Sequence, residues 1–248
     1  AWKEVPMTTV ALLPQNITTP GLQKATIAEL ETRVVHNGKW MAVLVSWADP
    51  TRDVNVDTSM ATDACAIQFP VGAGDKTSPF MGAKGAPVAI THWKAIWQND
   101  IVGKYQDVQD LHPNFWTDLY FFAEGKHPYP VTTSFNSTAA RNTLGSVYVN
   151  NPIAQLHRKL PVEELMAEGF GTLTTQPQQD AIGGGSHKDG RWSVVFVRPM
   201  SSRDKNDPKF EVGQNTVIAF AVWDGDKKNV GGRKNYAAWV PLTLERRP

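Results

Sequence analysis

Residues 32–47 run Thr-Arg-Val-Val-His-Asn-Gly-Lys-Trp-Met-Ala-Val-Leu-Val-Ser-Trp, and this stretch decides the fold class. Two runs rich in β-branched and aromatic residues flank Asn37-Gly38, and Asn-Gly is the strongest short signal for a two-residue hairpin turn. A second hairpin is predicted where Lys188-Asp189-Gly190 precedes the run from Arg191 to Arg198. Aspartate and glycine tolerate the positive φ of tight turns. The sequence therefore predicts antiparallel strands joined by short turns.

Further strand signals fill the C-terminal third of the chain. Val217–Trp223 is a β-rich run that leads into Asp224-Gly225, and a last run extends from Ala238 to Leu244. Many short strands separated by Gly, Pro, Asn and Asp are typical of an antiparallel sandwich or barrel. We therefore predict a mostly β protein, an antiparallel β-sandwich with a few short helices and one long excursion. A length of 248 residues suits a single domain over residues 1–248.

Two segments depart from this β pattern. Pro161 followed by Glu163 and Glu164 is typical of the first turn of an α-helix, so a short helix is predicted at residues 161–166. The segment from about 98 to 165 contains a stretch rich in Pro and Asn and is predicted to be an inserted loop region. Loops of this length usually carry function or pack against another surface. Within it, the aromatic stretch Leu111–Phe122 is interpreted either as a docking surface or as a segment that folds inward.

Charge and hydropathy exclude several classes of protein. The formal net charge is +1, with acidic and basic residues mixed along the chain, so no nucleic-acid partner is expected. No apolar run approaches the roughly 20 residues that a membrane-spanning helix needs, so no membrane span is expected. The start, Ala1-Trp2-Lys3-Glu4, resembles a processed N-terminus, and we expect a periplasmic or otherwise exported protein. Removal of an initiator Met in the cytoplasm is the alternative explanation for this start.

The cysteine count limits how a cofactor can be held. Cys65 is the only cysteine, so the chain has no internal disulfide and no Cys-x-x-Cys-His attachment for c-type haem. A thiolate cage for zinc or an iron–sulfur cluster is excluded for the same reason. Any cofactor is therefore expected to be bound non-covalently. The 9 Trp, 10 Phe and 5 Tyr suit either an aromatic core or a flat ligand.

Local catalytic motifs are absent from the sequence. No hydrolase, zinc-protease or nucleotide-binding signature is present. The run Gly183-Gly184-Gly185 lacks the Lys-Ser/Thr of a phosphate loop and is interpreted as a flexible turn. The six histidines contain no i, i+4 pair, so a helical metal site has no support.

Two segments carry residues that suit cofactor binding. The first, Pro79–Val88, places Met81 in a loop rich in Gly and Pro and leads into Thr91–Ala95. Such a loop can present a thioether to a cofactor, although a gap-filling core methionine is the common alternative. The second segment contains Gly231-Gly232-Arg233-Lys234. By itself, Lys234 has the pattern of a surface lysine.

Taken in this order, the two segments resemble the haem-binding γ subunit of the ethylbenzene dehydrogenase family, whose relatives serve dimethylsulfide dehydrogenase and selenate, chlorate and nitrite oxidoreductases. The family pattern Met-Gly-Ala-x-Gly-x-Pro-Val followed by Trp-Lys-Ala matches Met81–Val88 and Trp93–Ala95. The closing pattern Ile-Ala-Phe-Ala-Val-Trp followed by Gly-Arg-Lys matches Ile218–Trp223 and Gly232–Lys234. Supporting matches are His36-Asn37-Gly38, the strand ending at Trp47, Phe69-Pro70-Val71 and Asp189-Gly190-Arg191-Trp192. The resemblance covers about residues 30–97 and 167–245.

The resemblance implies one non-covalent haem b and the residues that hold it. The family binds its haem iron axially through one Met and one Lys, and the matching positions are Met81 and Lys234, with Lys188 as the weaker alternative lysine. The aromatic residues expected to wall the haem are Phe69, Trp93, Trp97 and Trp223, and the basic residues expected to pair with its propionates are Arg233, Lys84 and Lys94.

The resemblance also implies a function without substrate chemistry in this chain itself. An electron-transfer subunit would relay electrons between the iron–sulfur subunit of a periplasmic molybdenum oxidoreductase and an external carrier such as soluble cytochrome c. The molybdopterin catalytic subunit of the same complex would be a further partner. The alternative is a non-catalytic carbohydrate-binding β-sandwich, whose exposed Trp and Tyr side chains would stack on sugar rings. A third interpretation, a free-standing enzyme, has no supporting motif.

Overall fold

The computed structural model describes residues 2–72, 77–104, 106, 108–114, 137–143, 145 and 158–246. The prediction of a mostly β, antiparallel fold with a few short helices is confirmed. The strands are β1 Thr8–Ala11, β2 Leu13–Pro14, β3 Glu29–His36, β4 Trp40–Ala48, β5 Ala64–Pro70, β6 Val88–Lys94, β7 Val162–Ala167, β8 Thr174–Thr175, β9 Ile182–Lys188, β10 Arg191–Pro199, β11 Asn215–Trp223 and β12 Asn235–Thr243. The described helical segments are a 3₁₀ turn at Trp2–Glu4, α1 Ala95–Ile101, α2 Val108–Leu111 and α3 Thr138–Thr143.

The strands form two antiparallel sheets. The five-stranded sheet has the order β1-β3-β4-β10-β9, and the seven-stranded sheet has the order β2-β12-β11-β5-β6-β7-β8. Apolar side chains from both sheets meet in one buried cluster, which we call the inter-sheet core. The two sheets therefore pack face to face as a sandwich.

Both predicted hairpins are present. Asn37-Gly38 lies between β3 and β4, and the Asn37 side chain caps the turn by accepting hydrogen bonds from the backbone N–H groups of Lys39 at 3.0 Å and Trp40 at 2.8 Å. Asp189 and Gly190 join β9 to β10 with φ values of 51° and 68°. Two consecutive left-handed residues are what a type I′ hairpin turn requires.

Three tryptophans fill the centre of the inter-sheet core. The ring centroid of Trp47 lies 6.5 Å from that of Trp93 and 6.3 Å from that of Trp192, and Trp93 and Trp192 are 4.9 Å apart. Each is at most 1% exposed. Because side chains alternate along a strand, these rings fix which residues of β4, β6 and β10 face inward.

The helix predicted at residues 161–166 is wrong. Val162–Ala167 forms strand β7, which pairs with β6 on one side and β8 on the other. The two acidic residues do not cap a helix: Glu163 accepts a 2.6 Å hydrogen bond from Thr175 Oγ1, and Glu164 accepts a 2.8 Å bond from the Ala181 N–H. Burial on both sheet faces therefore outweighs the local helix signal.

The interpretation of Gly183-Gly184-Gly185 as a turn is also wrong, because all three glycines lie in strand β9. A Cβ atom on Gly185 would lie 2.4 Å from Cζ2 of Trp93. One on Gly183 would lie 2.8 Å from Cγ1 of Val162. Gly183 and Gly185 are therefore needed so that side chains of the other sheet can pack directly on the β9 backbone.

Contacts divide the chain into two compact units, residues 1–98 with 160–248, and residues 99–159. The first unit contains both sheets; the described parts of the second are the end of α1, α2 and α3. Of the aromatic stretch Leu111–Phe122, residues 115–122 lie outside the described residues. In the part of the chain that is described, no helix has both the length and the apolar character needed to cross a bilayer.

The β9 glycines provide a test of this packing. We expect Gly185→Ala to lower the free energy of unfolding by about 1–3 kcal/mol, because the new methyl group overlaps Trp93. Gly184→Ala is the matched control, since its Cβ would meet only Gln98 Oε1 at 3.6 Å and should change stability little. Urea denaturation of both variants measures the difference, and equal stability of the two would contradict the assigned strand orientation.

Candidate functional site

The outward face of the seven-stranded sheet carries a second apolar cluster. Its buried members are Ala64, Ala66, Val88, Ile90, Leu165, Ala167, Ala221 and Trp223, with Met81 and Trp239 packed against them. We call this set the outer-face cluster. The outward face of an antiparallel sheet is commonly polar, so an apolar one indicates that something covers it. Four of the eight buried members are alanines, so little side-chain volume projects from this part of the sheet.

Met81 lies in the loop between β5 and β6 and has a left-handed backbone, with φ of 63°. Such a conformation is unusual for a residue with a long side chain. The loop fixes it: the Gly169 N–H donates to the Met81 carbonyl at 2.7 Å, and Gly82 continues the left-handed path with φ of 75°. A Cβ on Gly82 would lie 2.8 Å from the Ala167 carbonyl oxygen, so only glycine fits there. The strained loop thus holds the Met81 side chain against the outer-face cluster.

Lys234 lies immediately before β12 and is half-buried. Nζ is 5.2 Å from the ring centroid of Trp223, and burial lowers the pKa of Lys234 to about 8. Lysines ordinarily bury their methylene groups and keep the ammonium in water. Within the described residues, Lys234 forms no ion pair that would compensate for the lost hydration. This amine therefore loses its proton more readily than the amine of an ordinary exposed lysine.

Asn235 anchors the backbone next to Lys234. It is fully buried, and its Oδ1 accepts a hydrogen bond from the Thr26 N–H at 2.8 Å. Its Nδ2 donates to Asn229 Oδ1 at 3.1 Å and to the Val222 carbonyl at 3.3 Å. Sequence reasoning did not identify this residue; an Asn at the start of a strand, where it is unfavourable by propensity, is the signal that could have found it.

Trp223 connects Met81 and Lys234. It belongs to the outer-face cluster against which Met81 packs, and its ring lies beneath the Lys234 amine. Its Nε1 donates a 3.0 Å hydrogen bond to the Gly231 carbonyl, which ties it to the loop that carries Lys234. The neighbouring His92 ring has its centroid 4.9 Å from that of Trp223. A thioether, an amine and aromatic rings therefore lie at or beside the outer-face cluster.

Arg233 contributes a buried donor next to this site. Its Nε is buried and has no hydrogen-bond acceptor among the described residues. Buried guanidinium N–H groups normally have an acceptor, and a carboxylate matches their geometry best. The orphan donor therefore suits an acidic group on a bound ligand.

The other predicted residues lie elsewhere. Phe69 and Trp93 are fully buried in the inter-sheet core, on the opposite face of the sheet from Met81. Phe69 packs edge-on against Phe210, with ring centroids 5.0 Å apart. Lys188 is exposed at the end of β9, and Lys84 is exposed in the turn that follows Met81.

Trp97 and Lys94 lie beside each other near His92. The His92 and Trp97 centroids are 5.8 Å apart, and Lys94 Nζ is 4.5 Å from the Trp97 ring centroid. The structure thus brings together Met81, Trp223 and Lys234, places Trp97 and Lys94 next to them through His92, and separates Phe69, Trp93 and Lys188 from them.

Comparison with known proteins adds the family. A family model described as ethylbenzene dehydrogenase matches residues 1–235. A protein of Haloferax mediterranei named "Putative respiratory nitrate reductase heme subunit ORF7" is 24% identical over 240 residues, which are 96% of this chain and 64% of that protein. "Chlorate reductase subunit gamma" of Ideonella dechloratans is 25% identical over 237 residues, which are 94% of this chain and 72% of that protein. The chain thus spans less than the full length of both relatives.

The solved structures that match include one with a weak overall likeness to this chain. It is described as a "putative carbohydrate-binding protein" from Bacteroides uniformis and covers 99% of this chain and 82% of its own, at 11% identity and a TM-score of 0.44. A likeness of this size carries no conclusion about function.

The depressed pKa of Lys234 predicts a pH dependence of stability in the chain prepared without ligands. An unfolded lysine titrates near 10.5 and Lys234 in the folded chain near 8, so between these values the unfolded chain binds more protons. The titration of Lys234 should therefore make the free energy of unfolding increase with pH between pH 8 and 10.5. Lys234→Met should abolish it and should be more stable than the wild type below pH 8.

Urea unfolding at pH 7, 9 and 10.5 measures this difference. Lys188→Met is the control, because Lys188 is an exposed lysine at the end of β9. Parallel pH profiles for the wild type and Lys234→Met would contradict burial of the amine.

Proposed function

The chain belongs to the ethylbenzene dehydrogenase family, and from this premise we propose that it is a haem-carrying electron-transfer subunit of a molybdenum oxidoreductase. It would carry one non-covalent haem b and perform no substrate chemistry by itself. Its electrons would pass between an iron–sulfur subunit and an external carrier such as soluble cytochrome c, in the periplasm or another exported location. The molybdopterin subunit would hold the catalytic site.

The observation that carries this proposal is the buried amine of Lys234 beside Trp223, in contact with the cluster that Met81 covers. A lysine can bind a metal only as the neutral amine, and an ordinary lysine is almost fully protonated at neutral pH. Burial lowers the pKa of Lys234 to about 8, which reduces the cost of losing that proton. The surroundings of this lysine therefore favour metal ligation over a surface role.

The residues of the outer face fit a haem group. Met81 and Lys234 would hold the haem iron, and the orphan Nε of Arg233 would bind a haem carboxylate. The alanines and Trp223 of the outer-face cluster would provide a flat apolar surface for the porphyrin. Cys65 is buried in the inter-sheet core and cannot attach the group covalently.

The pair of axial ligands decides the kind of chemistry. A bound haem would supply a one-electron redox centre at this position. If Met81 and Lys234 both held the iron, their side chains would keep a substrate from binding to it, which would favour electron transfer over catalysis. The soft thioether of Met81 would stabilise the reduced state and raise the potential.

The proposed partners come from the relatives and from the family. One relative is named as a heme subunit of a nitrate reductase and the other as the gamma subunit of a chlorate reductase. Both names describe one subunit of a larger reductase, and this supports a role for the present chain beside a separate catalytic subunit. The substrate of that complex would be determined by the other polypeptide.

Visible absorption spectra of the full chain loaded with haem test the proposal. The wild type should give the low-spin spectrum of a six-coordinate haem, with a sharp α band after reduction. Met81→Ala and Lys234→Ala should each remove one axial ligand and convert part or all of the sample to a high-spin form.

Lys188→Ala is the matched control for the lysine, because Lys188 is exposed on the other sheet and its removal should leave the spectrum unchanged. Loss of the low-spin spectrum in Lys188→Ala but not in Lys234→Ala would show that Lys188, and not Lys234, is the ligand. A folded wild-type chain that takes up no haem would overturn the proposal.

A further inference from the structure

Strand β12 holds the loop that carries Met81. This loop lies between β5 and β6, and we call its residues 77–87 the Met81 loop. Trp239 of β12 donates a hydrogen bond from its indole Nε1 to the Thr77 carbonyl at 2.6 Å. Thr77 is only 2% exposed, so this bond is shielded from competing water. The first residue of the Met81 loop is therefore tied to β12.

A second contact joins the Met81 loop to the same strand. The ring of Phe80, next to Met81, packs edge to face against the ring of Tyr236, with centroids 5.6 Å apart. We call Tyr236 and Trp239 the aromatic clamp. Tyr236 is two residues beyond Lys234, so the strand that holds the Met81 loop is the one that begins directly after the lysine.

A bulge in β12 turns Trp239 toward the loop. The register of β12 against β11 shifts between Ile218 and Phe220, so that two residues of β12 lie opposite one of β11. Ala237 and Val240 both face the inter-sheet core although they are three residues apart, whereas Trp239 packs on the outer-face cluster. Without the extra residue, strict alternation would turn Trp239 inward together with Ala237. The bulge therefore re-aims this indole, as bulges beside functional sites often do.

Other contacts shape the Met81 loop without involving β12. Gln68 of β5 donates from its Nε2 to the Pro79 carbonyl at 3.0 Å, and the Gly82 N–H donates to the Ser78 carbonyl at 3.1 Å. These bonds fix the curvature of the loop and its place beside β5. The aromatic clamp differs from them, because it relates the loop to the strand that follows Lys234.

We propose that Tyr236 and Trp239 are positioning residues that set the distance between the Met81 thioether and the Lys234 amine. This inference rests on the proposed function, in which these two groups hold a haem iron. The left-handed backbone of Met81 is unfavourable for its side chain, so contacts from outside the loop must maintain it. A thioether prefers ferrous iron. The oxidised protein therefore depends most on a Met81 loop that is held in place.

Hydrogen exchange of the full chain prepared without haem tests whether the clamp holds the loop. Trp239→Phe keeps an aromatic ring on the outer-face cluster but removes the donor to Thr77. Loss of this hydrogen bond should make the amides of residues 77–87 exchange about two- to tenfold faster, measured by mass spectrometry. Residues 191–199, in the other sheet, should exchange as in the wild type if the fold is retained. Trp40→Phe, at an exposed tryptophan of β4, is the matched control and should leave both segments unchanged.

The same variant loaded with haem tests whether the clamp positions the ligand. Oxidised Trp239→Phe should need about two- to tenfold less imidazole than the wild type to displace the Met81 thioether, because its loop opens more often. The visible spectrum follows this titration. Tyr236→Ala should shift it in the same direction by removing the contact with Phe80, and Tyr236→Phe, which keeps the ring, should titrate as the wild type does. Trp40→Phe should also titrate as the wild type does.

Failure of this inference and failure of the proposed function give different results. A wild type with a low-spin haem spectrum, whose imidazole titration equals that of Trp239→Phe, would overturn the role of the clamp alone. Equal exchange of residues 77–87 in the two chains would overturn it without any haem. A folded wild-type chain that takes up no haem would overturn the proposed function, and with it the ligand role of the Met81 loop.

Discussion

In the seven-stranded sheet, apolar side chains point to both faces, and the protein must cover each face separately. Strand β5 is buried along its whole length. Its Cys65, Ile67 and Phe69 face the other sheet, while Ala64 and Ala66 face outward. The inward face is covered by the five-stranded sheet, and large aromatic side chains and the glycines of β9 fill the space between the two sheets. The outward face is different, because loops bring the thioether of Met81 and the amine of Lys234 against its apolar residues.

The candidate haem site is positioned by backbone constraints at two separate places. On one side, Gly82 and the Gly169 hydrogen bond hold Met81 in a conformation that its own side chain disfavours. On the other side, the buried amide of Asn235 fixes the start of β12, and Lys234 precedes it. The two segments are about 150 residues apart in the sequence, so neither can be adjusted by local rearrangement of the other. Such rigid support is what the proposed pair of haem-iron ligands would require.

The parts of the structure that depend on local sequence were predictable, and those that depend on topology were not. The two hairpins follow from Asn37-Gly38 and Asp189-Gly190, because turn geometry is set by neighbouring residues. The family was also predictable, because its motifs around Met81 and Lys234 are short continuous runs of sequence, and the prediction is confirmed. Strand β7 was missed because its acids accept bonds from distant residues. Similarly, the buried residues Asp49, Asp63 and Asp224 are far apart in the sequence, and only the strand order brings their carboxylates within 4.8 Å of one another.

The left-handed backbone at Met81 has a consequence for how this site changes over evolutionary time. Glycine and asparagine tolerate φ of 63° better than methionine does, so drift that rewarded foldability alone would replace residue 81 with one of them. Such a replacement would remove the thioether while relaxing the loop. If descendants of this chain keep methionine at position 81, that would indicate selection for ligand binding, because selection for stability alone would replace it.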